Sequence, residues 1–413
     1  MNKKLVALAV AGVLAAPLAQ AQTANVTLYG RVNLDIEFVN GAIYDSQVVQ
    51  PSTCNKTTNT NCLTTNPKQY RLATNSSRFG LRGTESLGGG LNAIFQVESS
   101  INPAQSGGTL AGRESFVGLQ GGWGTFKMGR FLMPYDDIHP IFGNVPTLTT
   151  SILSTASLWA QGFQPKNTGG FDDRVANSVR YDTANLSGFT ASFQYGAQGT
   201  NYAQPGSPNV TVGNTPHASV FGANALYNNG PISLGVGYEG NYGVRGRALP
   251  CTGCAPGSGK QLNDYAFSVA GAYSFSIVRI GAVYERLKYD AVTSGDLTRN
   301  FWGVSLTGNL GPGQAYVFYG QANNGAGSAP TGSRVAGLVV GPDTRAVQWE
   351  LSYTYPLSKR TLLYTGFNKI ANKNNAAYNF NINPYNPVSS SDSSYATPGG
   401  KPAGLVFGMV HFF

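Results

Sequence analysis

RFGLRGTESLGGGLNAIFQVESS, residues 78–100, alternates between polar and apolar side chains with a period of two. In its first arm Arg78 and Arg82 share one face, whereas Phe79 and Leu81 share the other. A glycine-rich SLGGG turn follows, and the second arm repeats the alternation. This pattern is typical of a β-hairpin that is apolar on one side and charged on the other. A β-barrel in a membrane needs many such hairpins, because lipid covers one face of each strand and water covers the other.

The rest of the chain repeats this alternation. Residues 26–38 alternate for 13 positions, whereas a globular strand has about 5–6 residues and a tilted outer-membrane strand roughly 9–11. We therefore predict a first strand at residues 26–39. Further strands are predicted at 113–120, 125–131, 174–183, 189–197, 218–228, 232–242, 262–275, 278–289, 299–310, 314–322, 345–355, 361–370 and 401–413. Together with the first hairpin they give about 16 strands.

The predicted connections alternate between short and long. The short turns are SLGGG, QGGWG, NLSG, NNGP, SFS, LGPG and PLSK, and the long loops cover residues 40–67, 100–112, 132–172, 200–215, 243–261, 290–298, 323–342 and 372–400. Outer-membrane barrels show this asymmetry, with short periplasmic turns and long external loops. Only 11% of residues are charged, against about 25% in ordinary soluble domains. The prediction is an all-β protein, a transmembrane antiparallel β-barrel.

The N-terminus has the features of an export signal. Lys3 and Lys4 precede an apolar run at residues 5–18, and Ala19-Gln20-Ala21 provides a cleavage site. We expect residues 1–21 to be removed and residues 22–413 to form one barrel domain. The formal net charge is +9, but the basic residues occur singly along strands of an exported chain, so nucleic acid is not an expected partner.

The chain has four cysteines, in two polar segments that read as loops. Export permits disulfides, and four cysteines allow three pairings. Local pairing is the favoured hypothesis, which joins Cys54 to Cys62 and Cys251 to Cys254. The alternative is a metal site at CTGC, residues 251–254. It lacks a second CxxC and a nearby histidine, so no metal or other cofactor is expected.

Several motifs in combination resemble the trimeric general porins of β-proteobacteria, the Neisseria, Burkholderia and Bordetella type. They are VTLYG at 26–30, SRFGLRG at 77–83, LGGGL at 87–91, FVGL at 116–119, GTFKMGR at 124–130, NSVRYD at 177–182 and HFF at 411–413. The resemblance implies a 16-stranded barrel in the outer membrane, a homotrimer, and a water-filled pore that the third external loop constricts. It also implies contact with outer-membrane lipid and lipopolysaccharide. The terminal Phe413 suits recognition by the barrel assembly machinery.

The resemblance places the narrowest part of the pore at the third external loop, residues 132–172. Near its start this loop carries Tyr135, Asp136 and Asp137. Alternation directs five basic residues inward on nearby strands, and the family opposes such a cluster to loop acids. These residues are Arg31, Arg78, Arg82, Lys127 and Arg180. Arg130 is a further candidate, although it ends its strand, where alternation no longer fixes its direction.

Basic residues outnumber acids at this predicted constriction, so we expect passive passage of small hydrophilic solutes with a mild anion preference. Two features leave this interpretation open. An inward arginine can instead pair with Asp35, Glu85 or Glu98, and no acid lies between Asp137 and Asp172, where the family often has more. A substrate-specific channel and a surface adhesin or binding barrel are the alternatives. Most aromatic residues alternate onto the lipid face, which favours the general pore.

One histidine of the chain suggests catalysis as a further possibility. His139 lies near Asp137 in the third loop, which suggests an Asp–His pair. However, the sequence contains no Gly-x-Ser-x-Gly elbow, no His-Glu-x-x-His and no phosphate loop. We therefore do not expect an enzyme.

Overall fold

The computed structural model describes residues 25–42, 68–144, 151–160, 171–198, 217–247, 260–385 and 396–413. Within them, 16 antiparallel strands close into a barrel, which confirms the predicted fold. The strands are β1 Asn25–Asn40, β2 in two segments Gln69–Thr74 and Arg78–Gly88, β3 Leu91–Ile101, β4 Ser115–Gly121, β5 Gly124–Leu132, β6 Arg174–Thr183, β7 Phe189–Ala197, β8 Ser219–Asn229, β9 Ile232–Arg247, β10 Gln261–Phe275, β11 Val278–Asp290, β12 Asp296–Leu310, β13 Gly313–Ala322, β14 Ala346–Pro356, β15 Thr361–Asn372 and β16 Ala403–Phe412.

A few short elements lie outside these strands. A two-residue strand, Gly108–Thr109, pairs with β3, and a small hairpin joins Arg334–Val335 to Leu338–Val339 between β13 and β14. Two single helical turns, Asp136–Ile138 and His139–Phe142, follow β5, and a third, Thr155–Ser157, lies further along. None of the described helices is long and apolar enough to cross a membrane.

The first and last strands close the barrel. β1 pairs with β16 from Arg31 opposite Phe412 to Asn40 opposite Ala403. The pairing extends one residue beyond Arg31, because the Gly30 and Phe413 backbones exchange hydrogen bonds of 3.0 and 3.1 Å. A Cβ atom on Gly30 would lie 2.4 Å from the Arg78 carbonyl oxygen and 2.5 Å from Cζ of Phe413. This seam therefore requires glycine at position 30.

On β1 the observed faces are the predicted ones. On β1, Val26 and Leu28 face outward and remain more than half exposed, whereas Asn33, Asp35 and Glu37 face inward and are buried. Aromatic pairs lie on the outer surface near both ends of the strands. Trp123 and Tyr181 stack beside the short turns, at 6.0 Å between ring centroids, and Phe38 meets Tyr70 edge-on at 5.3 Å near the external end. These rings match the interfacial belts of membrane barrels.

β2 is interrupted, and the alternation did not predict its first segment, Gln69–Thr74. Ser76, at the break, has a positive φ of 54°. The Ser77 hydroxyl replaces the missing ladder contact, because it accepts from the Asn33 amide at 2.9 Å and donates to the Asn33 carbonyl at 3.0 Å. Thus β1 pairs with both segments of β2 despite the break.

Two predicted boundaries were wrong. The connection predicted as a long loop at 290–298 is only residues 291–295, because β11 and β12 stay paired up to Asp290 opposite Asp296. Similarly, β9 continues to Arg247 rather than ending near residue 242. The predicted signal peptide and all four cysteines, Cys54, Cys62, Cys251 and Cys254, lie outside the described residues.

Candidate pore constriction

The connection between β5 and β6, hereafter loop 3 (residues 133–173), folds into the barrel, as predicted. In its described parts, Met133, Tyr135, Ile138 and Trp159 have no exposed surface. Inward side chains from much of the wall bind carbonyl groups of the loop backbone. These contacts are Asn224 to Pro134 at 2.7 Å, Tyr316 to Phe142 at 2.8 Å, Gln348 to Ser154 at 2.9 Å, and also Arg299 to Leu158 and Asn368 to Ile152. The loop is thereby fixed to the wall from β8 round to β15.

Aromatic stacking holds the underside of loop 3. The rings of Tyr135 and Trp159 lie parallel at 5.1 Å, and the Tyr135 hydroxyl donates to Oε1 of Glu285 at 2.7 Å. The Trp159 indole donates to the Ser268 hydroxyl at 3.2 Å. Tyr135, a candidate constriction residue, is fully buried between Trp159 and Glu285 of β11, where it anchors the loop and has no surface to offer a solute.

The histidine of loop 3 is neutral and does not meet Asp137. Burial lowers the pKa of His139 to about 3, and its Nε2 lies 2.6 Å from the Thr155 hydroxyl. Among the described residues, its nearest carboxylate is Asp136, at 4.0 Å. The Asp–His pair considered from the sequence therefore shares no proton, and the ring fills space within the loop.

The first two acids of loop 3, Asp136 and Asp137, differ in their hydrogen-bond partners and in how far their pKa values are raised. Oδ2 of Asp137 accepts from Arg180 at 2.7 Å and from Asn224 at 2.8 Å. Burial raises the pKa of Asp137. For Asp136, burial and then the nearby Asp137 charge raise the pKa to about 7. Asp136 therefore changes its charge near neutral pH, and burial followed by the nearby Asp136 charge also raises the pKa of Asp172 in the same loop.

Two of the predicted basic residues are fully engaged in ion pairs. Arg180 binds Asp182 at 2.7 Å in addition to Asp137, and Lys127 binds Asp182 at 2.8 Å. Two cations and two carboxylates therefore form one chain along β5, β6 and loop 3. This chain fixes the start of the loop and leaves little net charge for a passing ion.

A second basic group, which we call the arginine wall (Arg31, Arg78 and Arg113), lies on β1 and β2 and before β4. Arg78 and Arg113 share the single carboxylate of Glu98, at 3.4 and 2.6 Å. Arg31 donates to the Ser76 carbonyl at 3.2 Å and is repelled by the other two guanidinium groups. Glu114 is a second carboxylate that interacts electrostatically with Arg78. Among the described residues, three positive charges against these two carboxylates give the wall a net positive charge.

Sequence reasoning missed Arg113. In the predicted strand at 113–120 its parity matches that of Val117 and Leu119, which face lipid. The chain bends before β4 begins at Ser115, and this bend turns Arg113 inward to Glu98. Only the spatial position of Glu98 shows this, because the local pattern indicates the opposite face.

Two predicted cations, Arg82 and Arg130, lie outside both charged groups, and Arg174, which was not predicted, lies near them. Arg82 is exposed, with its guanidinium 5.0 Å from the centroid of the Tyr29 ring. The Nε atoms of Arg130 and Arg174 are buried without a hydrogen-bond partner among the described residues. Arg174 interacts electrostatically with both Arg113 and Asp136, so it lies between the arginine wall and loop 3. In the described part of the chain, no group of three metal-ligating side chains is placed to hold an ion.

Comparison with known proteins agrees with this fold. Residues 6–375 match the profile of the Gram-negative porin family. The chain belongs to this family. It is 26% identical over 381 residues to outer membrane porin protein 32 of Delftia acidovorans, covering 90% of each chain, and 29% identical over 308 residues to an outer membrane porin of Bordetella pertussis, covering 70% of this chain and 75% of that one. Its fold is similar to that of the anion-selective porin from Comamonas acidovorans, with a TM-score of 0.66, 23% identity, and coverage of 94% of this chain and 100% of that one.

Membership places this porin in the outer membrane and makes it a passive channel rather than an enzyme. Its chemistry is therefore that of a pore lining. The arginine wall lies on β1, β2 and the segment before β4, and the acids that open loop 3 lie beside β6 and β8.

Proposed function

We propose that this porin is a general diffusion channel with a mild preference for small anions, and that the arginine wall sets the preference. The observation that carries the proposal is the sharing of one carboxylate, Glu98, by two guanidinium groups, while the hydrogen bonds of the Arg31 side chain to described residues all go to carbonyl groups. At the start of loop 3, the charge of Asp137 is already compensated by Arg180. A mobile anion therefore meets uncompensated positive charge on one side of the pore.

The test is a reversal potential in a planar bilayer under a salt gradient. Arg78→Gln is expected to reduce the anion preference, because it removes one positive charge from the wall and keeps a polar side chain. Arg345→Gln, at an exposed position just before β14, is the matched control and is expected to leave the reversal potential unchanged. An unchanged reversal potential in Arg78→Gln would contradict the assignment of the wall, and a bilayer without current would contradict the channel itself.

We further propose that the porin assembles as a homotrimer in contact with outer-membrane lipid and lipopolysaccharide. The outward faces of β1 and β2 support this, because Val26, Leu28, Phe79 and Leu81 form an apolar surface that must meet hydrocarbon or another copy. An unheated gel of gently extracted membranes is expected to show a heat-labile trimer. A monomer band alone would contradict the assembly.

Removal of residues 1–21 and the pairing of Cys54 with Cys62 and of Cys251 with Cys254 remain proposals. Mass spectrometry of the purified chain is expected to show Gln22 as the first residue. A non-reducing digest is expected to contain both linked peptides. Free thiols at all four positions would contradict the disulfides.

A further inference from the structure

The last external connection, hereafter loop 8 (residues 373–402), returns into the mouth of the barrel. In its described part Ala376, Tyr378, Asn379 and Phe380 are all less than 5% exposed. An external loop surrounded by water would expose such side chains. Their burial shows that loop 8 packs against other parts of the porin inside the rim.

One end of this packed segment is held by β12 and loop 3. The Tyr378 hydroxyl forms a hydrogen bond with the Arg299 guanidinium of β12, and that guanidinium also binds the Leu158 carbonyl of loop 3. Three residues further on, the Asn381 amide donates to the Ser157 hydroxyl at 3.3 Å. Loop 8 therefore rests directly on loop 3.

The other end is held by β1 and β2. The side-chain amide of Asn383 donates to Glu37 at 2.9 Å and to Asn75 at 2.8 Å. Arg71 donates to the carbonyl groups of Asn383 and Pro384, while its Nε lies 2.5 Å from Glu37. Asn383 has a positive φ of 50°, a conformation that asparagine tolerates better than most residues.

The path between the two anchors runs inside the mouth of the barrel. The Tyr378 backbone also pairs with the Asn372 side chain of β15, at 2.8 and 3.0 Å, and β15 and β2 are three strand positions apart, about 14 Å along the wall at ~4.8 Å per strand. The six residues from Tyr378 to Asn383 span five Cα–Cα intervals and extend at most ~17 Å, which is enough to bridge this distance. Between these points the segment lies over loop 3, because the Asn381 amide binds Ser157, and the long side chains of Arg299 and Arg71 reach inward to meet it.

We propose that residues 376–385 form a second constriction above loop 3 and set the upper size limit for solutes. This inference rests on the proposed diffusion function. The segment contains no carboxylate and no basic side chain, and its polar groups are two tyrosine hydroxyls and three carboxamides, those of Asn379, Asn381 and Asn383. It therefore selects by size and hydrogen bonding, whereas the arginine wall below selects by charge. The solutes that pass both are small, compact and hydrophilic.

The principal test replaces residues 377–384 by a Gly-Ser linker of equal length. Single-channel conductance is expected to rise roughly 1.5-fold or more, because a wider path holds more mobile ions. Liposome swelling with sugars of increasing size is expected to show entry of larger sugars than in the unmodified porin. The matched control replaces residues 102–107, a turn after β3 in which Asn102 accepts from Gln105 and Ser106, and is expected to change neither quantity.

A second pair of variants tests the position of the segment without removing it. Asn381→Asp is expected to shift the reversal potential toward cations, because it places a negative charge in the conduction path. Gln105→Asp, at an exposed position in the control turn, is expected to leave the reversal potential unchanged. Each variant is first shown to be a folded barrel by its heat-dependent migration on gels.

The outcomes separate this inference from the diffusion function. Linker and Asn381→Asp variants with the conductance, sugar limit and reversal potential of the unmodified porin would overturn the second constriction and leave the channel intact. Absence of current from the unmodified porin would instead overturn the diffusion function. A linker variant that does not fold leaves Asn381→Asp and its control to decide the question.

Discussion

Glu285 of β11 and Arg299 of β12 form an ion pair from which solvent is almost completely excluded, and each of them also binds loop 3. Oε1 of Glu285 accepts from the Tyr135 hydroxyl and from the Ala160 amide, both at 2.7 Å. Arg299 binds the Leu158 carbonyl and Tyr378 of loop 8. The pair therefore connects two strands of the wall to both loops that narrow the pore.

Breaking this pair is expected to loosen loop 3. Glu285→Gln keeps the size of the side chain but leaves Arg299 as a buried charge without its carboxylate, a change that typically costs about 3 kcal/mol or more. We expect a lower midpoint temperature for barrel unfolding and larger current fluctuations in single channels. Glu85→Gln, at an exposed position on β2, is the control and is expected to change neither. Current fluctuations in Glu285→Gln no larger than those of the unmodified porin would show that loop 3 holds its position without the ion pair.

The anion preference is expected to increase as pH falls from about 8 to 6. Burial and the Asp137 charge raise the pKa of Asp136 to about 7, so Asp136 gains a proton across this range and the constriction loses a negative charge. His139 does not contribute, because burial lowers its pKa to about 3. Reversal potentials at each pH measure the effect. Asp136→Asn is expected to have the low-pH value throughout, and a pH response that persists in this variant would assign it to another group.

The same titration predicts how stability varies with pH. The folded pKa of Asp136 lies above its ordinary value of 3.8, so the folded porin binds the proton more tightly than the unfolded chain does. Through this group, stability rises as pH falls through about 7 and levels off below about 4. Asp136→Asn removes this contribution, which a comparison of unfolding temperatures at pH 8 and pH 6 measures.

Alternation with a period of two predicted the barrel because it reports a local property, the face on which each side chain lies. Strand order, short turns and long loops follow from that property and from chain length. The interruption in β2 was not predicted, because Ser76 leaves the ladder only where Ser77 can complete it through Asn33, a contact between two strands.

The site was less predictable for a related reason. Inward direction was correct for Arg31 and Arg78, but their net charge depends on Glu98 and on Arg113, which a bend turns inward. Lys127 and Arg180 have the predicted direction, yet Asp182 and Asp137 compensate their charges. The packing of loop 8 depends on Arg71 and Asn383, 312 positions apart in the chain, and no local pattern contains such a contact.

Charge reversal is expected to have a larger effect at Arg113 than at Arg82. Arg113 belongs to the arginine wall and binds Glu98 at 2.6 Å, whereas Arg82 is exposed beside Tyr29, where water screens its charge. Arg113→Glu and Arg82→Glu are both expected to shift the reversal potential toward cations, the first by more. Equal shifts would place the selective region nearer the periplasmic end of β2.

Stability of the seam is expected to depend on Gly30. In Gly30→Ala the new methyl group lies 2.4 Å from the Arg78 carbonyl oxygen and 2.5 Å from the Phe413 ring, so β1 must move from β2 or the ring must leave its place. Overpacking of this kind costs about 1–3 kcal/mol, here at the pairing that closes the barrel. Gly122→Ala is the matched control, because a Cβ atom there meets nothing within 4 Å. The temperature at which the folded band is lost on gels measures the difference, and a Gly30→Ala barrel as heat-resistant as Gly122→Ala would show that the seam can accommodate the methyl group.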